Sequence, residues 1–121
     1  MYSAWVLSES SKTKITNLFG QAHPDLVGHH VTYMFGKDAV IPEDAVISLV
    51  GHCVTDKIEC FVAEVNGSIK RPDGAIYHLT WSLDKSKGAK PVDSNNAIET
   101  QGFTHIETPV QITTTPNIFK F

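Results

Sequence analysis

The chain has 121 residues, of which 41% are apolar and 19% are charged, and its formal net charge is −3. That composition is typical of one globular domain with enough chain to bury a core. A negative net charge argues against the broad positive field that holds long nucleic acids, so we expect a small nucleotide or a single RNA end as partner.

Nothing in the sequence predicts a membrane protein or a zinc protein. The chain contains no run of 18 apolar residues, and residues 1–7 lack the basic start and the cleavage pattern of a signal peptide. We therefore expect no membrane partner and a cytoplasmic location. There, Cys53 and Cys60 are expected as reduced thiols, with a disulfide between them as the alternative. The sequence offers no convincing second pair of ligands that would complete a zinc site with these two cysteines.

Apolar periodicity and turn residues indicate many strands and two helical segments. In chain order they predict a strand over 2–8, a helix ending near Phe19, a strand over 29–35, a hairpin of strands 45–54 and 57–65, a strand over 75–83, a short helix after Pro91, and a strand or hairpin over 108–121 that Pro116 interrupts. Ser8, Ser10 or Ser11 is expected to cap the first helix, and Asp93, Ser94 or Asn95 the second. This pattern predicts an α+β protein built on antiparallel strands.

Two of these strands carry the same short motif. His30-Val31-Thr32 lies in the strand 29–35, and His78-Leu79-Thr80 lies in the strand 75–83. Side chains alternate between the two faces of a strand, so each histidine shares a face with its threonine. By the same alternation, Ser82 joins the polar face, whereas the apolar face takes Val31, Tyr33, Phe35, Tyr77, Leu79, Trp81 and Leu83.

The paired motif resembles that of the 2H phosphoesterase superfamily. Lys90-Pro91-Val92-Asp93-Ser94-Asn95, soon after the second motif, is similar to the Lys-Pro-Val-Glu-Ser-Asn stretch in the cyclic phosphodiesterase domain of fungal tRNA ligases. Small phage 2H phosphodiesterases are a second point of resemblance. The likeness extends over most of residues 1–100. The two motifs here are only 48 positions apart, which implies that some outer helices of the family are missing.

The resemblance implies a fold and an activity. The fold is a compact, single-domain pair of antiparallel sheets facing each other across a central cleft, with few outer helices. The activity is metal-independent hydrolysis of a cyclic phosphodiester, without a cofactor. The substrate is either a 2′,3′-cyclic phosphate at an RNA end, as in RNA repair, or a cyclic nucleotide signal, as in a protein that counters an immune response.

Residue chemistry agrees with that activity. Histidine serves as acid or base near neutral pH, so His30 and His78 are the expected acid–base pair, with the two roles left open. Hydroxyl donors from Thr32 and Thr80 suit the charge that grows on the phosphate oxygens. Taken singly, either histidine is more often structural.

Further residues are candidates for substrate binding, each with a simpler alternative. Lys90 is otherwise an exposed loop lysine, Ser94 a helix cap and Arg71 a solvated turn residue. His29 is expected to face away from the cleft. Three other histidines, His23, His52 and His105, are expected to be structural or solvated. The aromatic residues Tyr2, Trp5, Tyr33, Tyr77 and Trp81 are expected in the core, although aromatic rings of this kind stack on bases in other proteins.

Two other functions compete with the enzyme. One is a module that binds and sequesters a cyclic nucleotide in the same cleft without cleaving it. The other is a structural or interaction domain in which the two motifs coincide by chance. The presence of both histidines and both threonines favours the enzyme.

Overall fold

The computed structural model describes residues 1–120, and Phe121, the last residue of the predicted final strand, lies outside them. It contains strands β1 (Tyr2–Leu7), β2 (Asp25–Leu26), β3 (His30–Phe35), β4 (Ile47–Val54), β5 (Ile58–Val65), β6 (His78–Leu83), β7 (Thr104–Ile112) and β8 (Thr114–Phe119), with helices α1 (Glu9–Phe19) and α2 (Asp93–Gln101) and a 3-10 turn at Lys85–Lys87. No helix within these residues is long and apolar enough to cross a bilayer.

The strands form one antiparallel sheet in the order β7-β4-β5-β6-β3-β1-β8, with the short β2 beside β6. This confirms the predicted α+β class. The two motif strands, β3 and β6, are neighbours at the middle of the sheet, and Val31 and Leu79 are the one residue pair that joins them. On either side the pairing is extensive, with β1 against β3 and β5 against β6. The motif strands therefore meet at a narrow seam between two well-paired halves.

The last two strands bring the edges of the sheet together. Strand β7 pairs with β4 at one edge and β8 pairs with β1 at the other, yet only Thr113 separates β7 from β8 along the chain. Because one residue spans only about 3.8 Å, the sheet must curl until its two edges meet at this corner. Backbone N–H of Thr113 donates to Ser11 Oγ at 2.7 Å, which ties this corner to α1.

Two apolar cores lie on opposite faces of the sheet. The larger one, inside the curl, contains Trp5, Ile15, Phe61, Leu79 and Trp81. The smaller one lies beneath α2 and contains both cysteines, Leu83 and the helix residues Ala97 and Ile98. Cys53 and Cys60 are free, buried thiols in directly paired positions.

A bulge follows each His-x-Thr motif. In β3 the extra residue is Tyr33, because Ala4 pairs with Thr32 but Ser3 pairs with Met34. In β6 it is Trp81, because Cys60 pairs with Thr80 but Glu59 pairs with Ser82. An extra residue reverses the alternation of side chains beyond it. Alternation therefore holds through each threonine and fails after the bulge.

The reversal overturns three assignments to faces. Ser82 faces the larger core, where its hydroxyl donates to Glu59 Oε1 at 2.6 Å. Leu83 belongs instead to the smaller core. Phe35 also changes sides, because it lines the cavity described below rather than the larger core. The sequence contains no glycine that would have marked either bulge.

Glu59 is the centre of a buried polar group on the larger-core face. Its side chain, 1% exposed, also accepts the backbone N–H of Ala22 at 2.9 Å and lies 2.8 Å from His52 Nε2. His23 joins the group through its backbone N–H, which donates to Ser82 Oγ. The ring of His23 lies 2.9 Å from the carbonyl oxygen of Thr55, so the rings of both histidines have partners within the fold.

Helix caps and the chain end differ in part from expectation. Ser8 caps α1 by accepting the N–H of Ser11, as predicted. The cap position of α2 is Val92, which makes no side-chain cap bond, so the prediction of Asp93, Ser94 or Asn95 as the cap was wrong. Pro116 does not interrupt the final strand, because β8 is an edge strand, where a missing N–H costs no ladder bond.

Candidate functional site

A cavity of about 340 Å³ opens on the face of the motif strands that carries the histidines. Its walls come from β1, β3, β6, the turn before β6 and the start of α2. The lining residues are Tyr2, Val27, His30, Thr32, Phe35, Arg71, His78, Thr80, Pro91, Val92 and Asn95. This volume lies within the range of small-ligand pockets, near its lower end.

All four predicted catalytic residues line this cavity. Val31 pairs with Leu79 in an antiparallel ladder, so His30 lies beside Thr80 and Thr32 lies beside His78. The two histidines are then diagonal neighbours, for which the separation is typically about 7–8 Å and somewhat less between Cβ atoms. Both side chains line the same cavity.

His78 is held by the segment just before its own strand. Its Nδ1 lies 3.0 Å from the carbonyl oxygen of Ile76, and because a carbonyl only accepts, Nδ1 carries the proton. The Nε2 of the neutral ring is therefore the unprotonated nitrogen. Burial lowers the pKa of His78, the carbonyl of Ile76 opposes that shift, and the charge of Arg71 adds to it.

His30 has a different partner. Its Nδ1 lies 2.9 Å from Nδ1 of His29, and the two rings meet edge to face. Burial lowers the pKa of His30 to about 4, with repulsion from His29 and then His78 as further causes. His29 is exposed and does not line the cavity, although its ring contacts that of His30 because it precedes β3 and does not follow the alternation of the strand.

The hydroxyl of Thr80 is tied to the helix side of the cavity. Thr80 Oγ1 donates to the carbonyl oxygen of Pro91 at 3.2 Å and lies 2.8 Å from Ser94 Oγ. Since a hydroxyl has one proton, Ser94 is then the donor to Thr80. Ser94 is completely buried and does not line the cavity. The structure thus places Ser94 behind Thr80, where it orients that hydroxyl.

Arg71 supplies the positive charge of the cavity. Its side chain is 4% exposed, and Nε and Nη2 donate to the two carboxylate oxygens of Asp73 at 2.9 and 2.8 Å. Its guanidinium carbon lies 5.2 Å from the ring centre of Phe35. Those contacts occupy two of the five N–H donors of the guanidinium, so the others remain for an anion. Arg71 is not the solvated turn residue of the alternative reading.

Lys90, by contrast, lies outside the cavity lining. The residue is exposed, and its backbone N–H donates to Asp93 Oδ2 at 2.9 Å. Pro91, Val92 and Asn95 of the same stretch do line the cavity. The stretch that carries the family resemblance therefore forms one wall, through its apolar residues more than through its lysine.

Sequence reasoning missed the aromatic part of the site. The rings of Tyr2 and Phe35 are 5.9 Å apart, and Tyr2 lies 5.2 Å from the ring of His30. Phe35 is 53% exposed and lines the cavity. Simple alternation had assigned Phe35 to the core, and the bulge at Tyr33 that reverses this assignment has no signal in the sequence of β3.

The site combines two imidazoles, two hydroxyls and one guanidinium with apolar and aromatic walls. Imidazoles can transfer protons near neutral pH, and hydroxyl and guanidinium groups can donate hydrogen bonds to an anion. Within residues 1–120, no group of three or more His, Cys, Asp and Glu side chains is placed to hold a metal ion. No family model, curated protein or solved structure matches the chain.

Proposed function

We propose that the chain is a phosphodiesterase that hydrolyses a cyclic phosphodiester of a nucleotide by acid–base catalysis with two histidines. One observation carries the proposal: His30, Thr32, His78 and Thr80 line one cavity. The proposal includes the arrangement of the 2H phosphoesterases, with the two halves of the sheet on either side of the seam as the two lobes. A metal-independent reaction in the cytoplasm belongs to the same proposal.

The roles of the two histidines follow from their surroundings. Burial keeps His30 unprotonated at neutral pH, which suits the base. The carbonyl of Ile76 accepts from His78 and favours its charged form, which suits the acid. His30 takes a proton from water as the water oxygen attacks phosphorus. The bond from phosphorus to the ribose oxygen then breaks, and His78 gives that oxygen a proton.

The remaining groups bind the phosphate and its nucleoside. Thr32 and the free N–H donors of Arg71 face the non-bridging oxygens, where charge increases during attack. Thr80 joins them if its hydroxyl turns from the carbonyl of Pro91, to which its bond is long. Val92 and the ring of Phe35 offer surfaces for a base or ribose.

The cavity favours a short substrate. A single arginine lines it, and the chain is acidic overall, with a net charge of −3. A long polynucleotide is held by many phosphate contacts, for which the lining offers no track. Both an RNA end with a 2′,3′-cyclic phosphate and a cyclic nucleotide signal present the required group, and the experiment below includes both.

The test is product analysis by mass spectrometry. We expect the purified protein to open at least one member of a panel of 2′,3′-cyclic nucleotides, RNA ends with a 2′,3′-cyclic phosphate and cyclic oligonucleotides. His30→Ala and His78→Ala should each abolish hydrolysis without loss of fold, whereas His105→Ala, at an exposed position outside the cavity, should not. Failure of the wild type on the whole panel would refute the enzyme.

A leaving group that needs no proton separates the two roles. Nitrophenolate leaves without protonation, so on a nitrophenyl phosphodiester we expect His78→Ala to recover much of its activity relative to wild type. His30→Ala should stay inactive, because water still needs a base. Equal recovery of both variants, or recovery of His30→Ala alone, would contradict the assignment.

One observation favours the sequestering alternative. The pKa values of both histidines are lowered, so at neutral pH neither imidazole carries the additional proton that the leaving group needs. The enzyme requires that the bound phosphodiester anion restore that proton by favouring the charged imidazole. Stoichiometric binding of a cyclic nucleotide that is recovered unchanged would identify the alternative.

A further inference from the structure

The contact between His29 and His30 is the feature that the catalytic scheme leaves unused. The two Nδ1 atoms are 2.9 Å apart, so one ring must donate and the other must accept. His29 is exposed, and its carbonyl oxygen accepts the N–H of Leu7 at 2.8 Å, which fixes the peptide before β3. The ring is further bounded by Phe119, whose centre is 5.8 Å away.

We propose that His29 is a positioning residue that accepts the Nδ1 proton of His30 and so leaves Nε2 of His30 unprotonated toward the cavity. The proposal rests on the phosphodiesterase function, in which His30 is the base. A base needs its lone pair on the nitrogen that faces the substrate. If His30 instead carried its proton on Nε2, the neutral ring could not take a proton from water there.

The two catalytic histidines are then held in the same way by different acceptors. His78 donates from Nδ1 to the carbonyl oxygen of Ile76, which does not titrate. His30 donates from Nδ1 to the imidazole of His29, which does. Protonated His29 has donors on both nitrogens and no lone pair to offer. It can then contact His30 only as a donor, which forces the proton of His30 onto Nε2 or breaks the contact.

Protonation of His29 therefore switches the base off. The other titratable or charged groups around His30 are Tyr2 on β1, His78 on β6 and Arg71 across the cavity, while β8 contributes the uncharged ring of Phe119. The acidic limb of the kcat profile is thus expected to depend on which residue stands at position 29.

Two substitutions at residue 29 distinguish a positioning role of His29 from a general structural role. Asparagine keeps an acceptor oxygen that does not titrate, so His29→Asn should retain kcat at pH 8 and extend activity to lower pH. Leucine has no acceptor, so His29→Leu should lower kcat roughly ten-fold or more at pH 8, a part of the 10²–10⁴ that a positioned base contributes, with KM unchanged. A normal kcat in His29→Leu, or an unmoved acidic limb in His29→Asn, would overturn the proposal.

Nitrogen NMR of the ring of His30 tests the contact without any substrate. We expect the wild type and His29→Asn to hold the proton on Nδ1 near pH 8, and the wild type to lose that state as His29 is protonated. A proton on Nε2 at pH 8 would refute the proposal. If the protein cleaves nothing, the proposed function fails, and this spectrum still decides whether His29 is the acceptor.

Discussion

At the scale of single residues, the structure separates charged groups that are built into the cavity from charged groups that are only near it. Arg71 is buried, clamped by Asp73 and placed over Phe35, whereas Lys90 is exposed and lies outside the lining. The clamp also holds the pKa of Asp73 below its usual range, chiefly through its hydrogen bond with Arg71. Arg71 is therefore already ordered before any anion arrives, which reduces the entropy lost on binding.

Loss of Arg71 should weaken substrate binding. A hydrogen bond to a charged group contributes about 1.5–3 kcal/mol, so Arg71→Ala should reduce kcat/KM by roughly ten- to hundred-fold on the best substrate of the panel. Lys70→Ala is the matched control, since it removes an adjacent exposed cation outside the cavity and should have little effect. Steady-state kinetics measure both, and equal losses would indicate a general effect of charge instead.

At the scale of elements, the approach to β3 matters as much as the strand. Gly28 has a φ of +47°, and its N–H donates to the carbonyl oxygen of Thr80 at 3.1 Å. A Cβ atom there would lie 2.8 Å from Cζ3 of Trp81. The segment before His29 and His30 therefore lies directly against β6, and only glycine fits.

Gly28→Ala is expected to destabilise the protein through both strain and contact with Trp81. Gly20→Ala is the matched control, because Gly20 also has a positive φ, of +68°, but a Cβ atom there meets nothing within 4 Å. We expect Gly28→Ala to lower the free energy of unfolding by about 1–3 kcal/mol more than Gly20→Ala, the usual cost of overpacking. Urea unfolding measures the difference. Equal losses of free energy of unfolding in the two variants would show that the indole ring of Trp81 moves aside for the added Cβ atom.

At the scale of the whole molecule, the site lowers stability on the acidic side of neutrality. Burial holds the pKa of His30 at about 4, below its ordinary value of 6.5, and it lowers the pKa of His78 as well. The unfolded chain therefore binds protons first as the pH falls. These two histidines do not reduce the free energy of unfolding above pH 6.5, and they reduce it progressively as the pH falls toward 4.

Glu59 extends that loss to lower pH. Burial alone would raise its pKa, but hydrogen bonds from His52, Ala22 and Ser82 together lower it below the ordinary value of 4.5. The stability that this carboxylate contributes is thus present above pH 4.5 and is lost as the pH falls through the lowered pKa. The histidines and Glu59 act in successive pH ranges.

We expect the free energy of unfolding to fall between pH 7 and pH 4.5, with His30 contributing at most about 3 kcal/mol of the total drop. Urea titrations at intervals of half a pH unit measure it. His30→Asn should flatten the profile in that range, while His105→Asn, at an exposed position, should follow the wild type. A wild-type profile that is level down to pH 4.5 would contradict the lowered pKa values.

The sequence by itself determined much of the local structure. Apolar periodicity and turn residues located the main strands and both helices, and Ser8 was among the predicted caps. Alternation placed His30, Thr32, His78 and Thr80 on polar faces because each motif lies ahead of its bulge. Those assignments depend on the nearest neighbours in the chain, which is why a sequence suffices for them.

Only the tertiary structure decided what surrounds the motifs. The bulges at Tyr33 and Trp81 arise from pairing with strands β1 and β5, so their effect on Phe35 and Ser82 could not be read locally. The burial of Arg71 and the meeting of the sheet edges at Thr113 likewise depend on segments far apart in sequence. Contact between His29 and His30 requires the backbone to leave the strand geometry just before β3. The physical reason is common to all of these: the free energy of each comes from contacts between distant segments, which only the folded chain brings together.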